Sequence, residues 1–323
     1  MTPSSSSRID ILGLGAVTID DVVYVESYPP ADAKVPVLRS QRHCGGLTGT
    51  ALVAASRLGL RTAYSGVLGT DELSSSVTEY MKGEGVDMAH VLHRAGVYPI
   101  HSFIVVDETK HTRNVFVDLS GSSGADLSWP SEELLRSAKV LFVDHIGVPG
   151  MIRAAKICQA NGTPIVADFE RADAAEFQEL LDLVDHLLLS QSFAEKLTGE
   201  ANPAGAALAL WEANREAVVI TAGSTGCWYI GKNAPGKVQH RPAFKVDAVD
   251  TTGCGDVFHG AYAAALAEEF PLDARIIFAS ATAALKATKP GGQSGIPSRP
   301  AVNAFLKKHL SAGPDTVAVE PTQ

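Results

Sequence analysis

Long apolar runs are missing from this 323-residue chain. No stretch approaches the roughly 20 residues that cross a bilayer, so a membrane span is not expected. Runs of lysine or arginine are missing too. With 27 basic against 36 acidic residues, the formal net charge is −9. Neither nucleic acid nor an anionic membrane is expected as the main partner. Cysteine is scarce: Cys44, Cys158, Cys227 and Cys254 are scattered, with no CxxC and no His–Cys ligand spacing. They read as reduced thiols of a cytoplasmic protein, not as a disulfide framework or a zinc site. No GxxxxGK(S/T) loop occurs, so bound phosphate would be held by amides and hydroxyls. Gly13-Leu14-Gly15 begins like a dinucleotide fingerprint, but Thr18 stands where the third glycine belongs. Close backbone packing of a strand accounts better for that pair. The opening MTPSSSSR is short and polar and lacks the apolar core of a signal peptide.

What is present is a chain 46% hydrophobic, enough for one large α/β domain or a large domain with a small appendage. Ile9–Val17 reads as a buried strand, with Asp20 and Asp21 just past its C-terminal end, the end at which open α/β sheets bind ligands. Residues 33–42 and 97–118 alternate like strands but are more polar, and look like a small sheet standing off the body. Gly45–Leu58 reads as a glycine loop entering a helix. From about Ser137, strand and helix alternate. Strands are expected at 140–144, 164–168, 186–189 and 217–221, and helices at 150–161, 177–183, 192–197 and 203–214. That pattern implies a parallel sheet covered on both faces. A hairpin over 226–231 and 237–244 follows, then helices over 256–268 and 273–286.

The most informative stretch is Asp250-Thr251-Thr252-Gly253-Cys254-Gly255-Asp256. Two carboxylates bracket a hydroxyl- and glycine-rich turn that opens a helix. Amides of Gly253, Cys254 and Gly255 can face an anion, aided by the positive end of the helix dipole. Asp256 then stands where it can take a proton from a substrate hydroxyl. Cradle plus adjacent base is the minimal equipment for phosphoryl transfer to an alcohol. Cys254, at a helix start, is expected to have some thiolate tendency, as a site of oxidative inhibition and not as a nucleophile.

The segment 250–260 (DTTGCGDVFHG) resembles the C-terminal signature of the PfkB, or ribokinase-like, sugar kinases, with Cys254 in place of the usual alanine. Gly45-Gly46-Leu47-Thr48-Gly49-Thr50 resembles the same family's N-terminal glycine-rich segment. The order and separation of the two blocks also fit. The resemblance implies a three-layer α/β/α sandwich with a mainly parallel central sheet and a small β-sheet lid. One domain would run over residues 8–310, with lid strands near 33–43 and 97–118 and a tail at 311–323.

The resemblance further implies ATP and Mg2+ as cofactors. It places Asp20, Gly45, Gly46, Thr50 and Lys34 at the sugar. It places Ser190, Thr221, Gly223, Ser224, Gly226 and Gly292 at the nucleotide. Asp250 has two readings: a turn residue bonding amides, or, with Ser294 in the loop 289–295, a holder of a monovalent cation such as K+. Many relatives place an Asn and a Glu at the positions of Ser190 and Phe193 to organise Mg2+, so the route of metal binding is open. His259, on the helix face of Asp256, reads as packing or a nucleotide-side contact.

Segment 237–297 is especially similar to the bacterial sulfofructose kinases. Their sulfonate-binding Arg and Asn are replaced here, at His145-Ile146 and Val117-Asp118, and an Arg–sulfonate contact is strong and directional. The ketohexokinase pattern has Asn where Leu47 stands. The expected reaction is ATP-dependent phosphorylation of a primary hydroxyl on a small sugar, a ketohexose or close derivative. Alternatives are a sulfofructose-type, phosphosugar or nucleoside kinase, and a sugar-binding regulator that has lost catalysis. Open strand edges in the lid invite pairing, which would make a homodimer.

Overall fold

The computed structural model describes residues 9–310; the expected tail at 311–323 lies outside the described residues. In chain order the elements are β1 (Ile11–Leu14), β2 (Thr18–Val25), β3 (Arg39–Gly45), α1 (Leu47–Arg57), β4 (Thr62–Tyr64), β5 (Val67–Leu68), α2 (Glu72–Gly83), β6 (Leu92–His93), β7 (Ile100–Asp107), β8 (Thr112–Asp118), α3 (Glu132–Ser137), β9 (Val140–Val143), α4 (Val148–Asn161), β10 (Ile165–Phe169), α5 (Phe177–Asp182), β11 (His186–Ser190), α6 (Gln191–Thr198), α7 (Pro203–Ala209), β12 (Ala217–Thr221), β13 (Cys227–Gly231), β14 (Gln239–Arg241), α8 (Cys254–Ala267), α9 (Leu272–Ala287) and α10 (Arg299–Leu310).

The central sheet has the order β14-β13-β12-β11-β10-β9-β1-β4. It is parallel from β12 to β4, and β13 and β14 close one edge antiparallel. Strands such as Val140–Val143 are continuous apolar runs because both faces are buried. One core packs Leu52, Val257, Tyr262 and Phe278 from α1, α8 and α9 on one face. A second packs Leu135, Met151, Leu180 and Ala194 from α3 to α6 on the other. The fold is therefore the expected three-layer sandwich.

A second sheet, β3-β2-β7-β8, stands apart as the lid. Here the structure corrects the sequence reading. The expected strand Ile9–Val17 ends already at Leu14, and Asp20 and Asp21, expected just past its end, fall in a second strand. They sit inside β2, because the chain breaks at Gly15, whose φ is +140, and re-enters the lid. Nor is 33–38 a strand; of the stretch expected near 33–43, the strand that pairs with β2 begins at Arg39. The helix from Pro203 also ends early, at Ala209. Buried Arg215 binds the carbonyls of Leu210, Leu181 and Val184 and turns the chain back. At Gly13, a methyl would meet Leu52 Cδ1 at 2.7 Å, so the GxG pair serves strand packing.

Candidate active site

Val249 N and Asp250 N both donate to Ala287 O, at 2.7 and 3.1 Å, hanging the signature turn on the C-terminus of α9. The Asp250 carboxylate accepts from Thr252 N and Gly291 N, each at 2.8 Å. Burial alone would raise this carboxyl. The amides of Thr252 and Gly291, the Thr252 hydroxyl and the charge of Lys286 bring it below its ordinary value. Gly253 caps α8 in the left-handed region, φ 73, which only glycine adopts without strain. A methyl there would approach Gly292 within 3.6 Å, so Gly292 lies against the turn. At Gly255 a methyl would meet nothing within 4 Å. The space before this helix start is open to an anion.

Two details of the turn depart from expectation. Cys254 N already donates to Thr251 O at 3.2 Å, so this amide is engaged in the turn. The Cys254 thiol is raised, not lowered. Burial is the largest cause, and Asp250 and Asp256 add to it against the lowering influence of Lys286. Its Sγ faces Ala283 O at 3.7 Å.

Asp256 stands in the first turn of α8. Burial pushes its carboxyl well above the usual carboxylate range, and Asp168, Glu170 and Asp144 push it further. Asp144 follows β9 and Asp168 is the penultimate residue of β10, at the C-terminal edge of the sheet. Asp144 accepts from Ala16 N, Thr48 Oγ1 and Ile146 N at 2.6, 2.7 and 2.8 Å, yet burial raises it to about 7. His259 Nδ1 approaches Asp168 Oδ2 within 2.6 Å, without the alignment of a hydrogen bond.

Among the residues expected at the sugar, Asp20 is paired through β2 with His43 and Ser102. Burial raises the Asp20 carboxyl, against the hydroxyls of Ser102 and Thr18 and the charges of His43 and His101. A methyl on Gly45 would come within 3.1 Å of Asp20 Oδ2, so the two converge. Gly46 caps α1 at φ 91, where a methyl would strike Ala16 O at 2.5 Å. Gly46→Ala is expected to destabilise the protein by about 3 kcal/mol, by strain and backbone clash together. Denaturant unfolding checks this; an unchanged midpoint would contradict it.

Thr50 is buried, and its hydroxyl accepts from Gln293 Nε2 at 3.0 Å. It ties α1 to the loop after α9. Lys34 lies in the exposed stretch before β3. Ser294 Oγ donates to Pro290 O within its own loop.

Of the residues expected at the nucleotide, Ser190, Thr221 and Gly223 line a cleft of about 390 Å³ together with Gln191, Ser192, Glu195 and Ala222; Ser224 and Gly226 are not among its lining residues. Ser190 Oγ caps α6 on Phe193 N, and Thr221 Oγ1 donates to Leu189 O. Gly223 and Ser224 are exposed in a short 3₁₀ turn. At Gly226, φ 101, a methyl would collide with Arg241 O. Gly292 is at the signature turn and not among the lining residues of this cleft.

Sequence reasoning missed Arg113, Asp144, Asp168, Gln293 and Lys286. Arg113 Nη1 donates to Thr252 Oγ1 at 3.2 Å, linking the lid to the turn. The register puts Arg113 on the lid face that carries Asp20, which no single-strand pattern reveals. Asp144 and Asp168 were open to the strand-end rule applied to Asp20.

Comparison with known proteins agrees with this geometry. The pfkB family carbohydrate kinase description matches residues 9–299. Haemophilus influenzae ribokinase is 31% identical over 307 residues, covering 91% of this chain and 97% of that protein. Zea mays fructokinase-1 is 27% identical, covering 94% and 99%. Thermotoga maritima ribokinase superimposes with a TM-score of 0.78 at 26% identity, over 93% of this chain and 99% of its own. Arabidopsis thaliana ribokinase complexed with ribose and ATP gives 0.81 at 23% identity, a likeness of fold, over the same shares. Among the described residues no helix is long and apolar enough to cross a membrane. With a carboxyl at the mouth of a helix-start cradle and a match of this extent, the chain belongs to the pfkB family of carbohydrate kinases, phosphotransferases that act on an alcohol group.

Proposed function

We propose that the chain transfers the γ-phosphate of ATP to a primary hydroxyl of a small, uncharged sugar, a ketohexose or close derivative. The observation that carries this reading is the half-buried Asp256 carboxyl, raised well above its ordinary value, beside the open space at Gly255. Asp256 accepts the hydroxyl proton as the oxygen attacks the γ-phosphorus in line, and the helix-start amides take the charge of the transferring group. Asp20, with Gly45 against it, receives sugar hydroxyls. Lid closure keeps water from competing as acceptor.

An uncharged acceptor is favoured by where the lid cations are spent. Arg42 is held by Asp21 at 2.7 and 2.9 Å, Lys34 is exposed, and Arg113 bonds the signature turn, the phosphate side of the site. The likeness to ribokinases at 31% identity favours an aldopentose as the second reading. The test is kcat/KM with fructose, other ketohexoses, ribose, fructose phosphates, sulfofructose and nucleosides. A ketohexose is expected to lead; a nucleoside or a phosphosugar in first place would overturn the reading.

Mg2+ fits this site. Asp168 Oδ2 is buried, with His259 Nδ1 at 2.6 Å but no aligned hydrogen bond, and Glu170 lies within its electrostatic reach. No group of three His, Cys, Asp or Glu among the described residues forms a metal cage, but Mg2+ usually takes only one or two carboxylates plus phosphates and water. We read Asp168 and Glu170 as its holders in place of the Asn/Glu pair absent at Ser190 and Phe193. Bound with ATP, Mg2+ supplies neutralisation of the phosphate oxygens. Any dependence on K+ is read as weak, because Lys286 is already bonded to Asp250 O.

A pH profile follows from Asp256. The base must be deprotonated and its carboxyl is raised, so kcat/KM is expected to fall toward acid with an apparent pKa above the ordinary carboxylate range. An acid limb at about 4 would contradict the assignment. The free thiols fit a cytoplasmic, reducing compartment. Exposed Phe103 and Phe116, on the lid face opposite Asp20, fit a homodimer through the lid.

A further inference from the structure

We infer that the Lys286 ammonium is a built-in cation beneath the phosphate cradle, serving the turn as a monovalent ion drawn from solution otherwise would. The inference rests on the kinase reading of this same site. Lys286 lies in the last turn of α9 and is 0% exposed, among the largest fully buried side chains of the described residues. Its Nζ donates to Asp250 O at 2.9 Å. Negative charge converges around it. The C-terminal carbonyls of α9 end here, with Ala287 O taking Val249 N and Asp250 N. The Asp250 carboxylate, held below its ordinary value, adds its charge.

A polyphosphate arriving at the cradle would meet this negative ground unless a cation stood under it. The charge of Lys286 is felt on both sides of the turn, since it lowers Asp250 and opposes the rise of Cys254. Filling the space alone would not require a lysine. A buried ammonium is costly unless paired, and a methionine has comparable length without that cost. Lys286 is thus a positioning residue: it acts on the transferred phosphate through the Asp250–Gly253 turn, not by touching the sugar.

Lys286→Met tests this, with a readout that a merely structural staple would not move. The expected result is a fall in kcat of about 100-fold, with the sugar KM within about threefold of wild type. Ammonium, methylammonium or K+ at about 0.1 M should restore activity by about tenfold. Wild-type enzyme needs no such ion. Its rate is expected to be equal in K+ and in a buffer whose sole cation is tetramethylammonium, an arm that stands even if the variant fails to fold. The inference is overturned by a variant with wild-type kcat, by a folded but impaired variant that no small cation restores, or by a wild-type enzyme activated tenfold or more by K+. A wild-type enzyme that phosphorylates no sugar under any cation would instead overturn the kinase reading on which the inference rests.

Discussion

Asp256→Asn is expected to lower kcat by about 10³-fold, the scale of a lost general base, while ATP and sugar still bind. Asparagine keeps the shape and removes the proton acceptor. It also relieves the crowding of carboxyls, because Asp168, Glu170 and Asp144 all push Asp256 upward. Fold stability is therefore expected to hold or rise, with activity lost. That opposition separates a functional carboxyl from an ordinary helix-start acid, whose removal would cost stability through the dipole and leave the rate alone. Steady-state kinetics and thermal unfolding of the same preparation decide it. A variant with a kcat within tenfold of wild type would remove Asp256 from the chemistry.

Gly255→Ala carries the second large effect. Gly255 lies inside α8, where alanine is the better helix former by up to about 1 kcal/mol. Nothing stands within 4 Å of the added methyl. The folded protein should accept it and melt slightly higher. The methyl projects into space left open at the start of α8. If that space receives the transferring phosphoryl group, kcat should fall by about 100-fold, as for loss of one oxyanion-type donor. A variant that melts higher and turns over at the wild-type rate would show that the anion does not sit there. Gly253 would not separate the two effects, since its φ of 73 strains any side chain.

The parts of the molecule that were legible in the sequence are those with local causes. The helix from Val148 to Asn161 ends where Gly162 adopts the left-handed conformation and bonds back to Cys158 and Gln159, and its glycine is visible in the chain. The buried strands β9 to β12 are short apolar runs between turn residues. The signature turn is a local motif, so its glycines and Asp256 could be named in advance.

What stayed hidden depends on partners distant in sequence. The bond from Gln293, 243 residues away, to the Thr50 hydroxyl is one such case. Cys254 looked like an activated thiol from its place at a helix start; its burial and the carboxylates of Asp250 and Asp256 reverse the sign. Asp20 belongs to a lid strand because β2 pairs with both β3 and β7. Lys286 reads in sequence as a basic residue near a helix end, and only the docking of the signature turn onto α9 buries it. Arg113 joins the site through the lid register alone.

The central claim is transfer of phosphate from ATP to a sugar hydroxyl. The most direct measurement is 31P NMR of wild-type enzyme with Mg2+, ATP and the sugar panel, run beside Asp256→Asn. The expected result is a phosphate-monoester signal from one preferred sugar, growing as ATP is converted to ADP, and absent with the variant over the same time. Release of free inorganic phosphate with no sugar phosphate, or equal product from the variant, would contradict it.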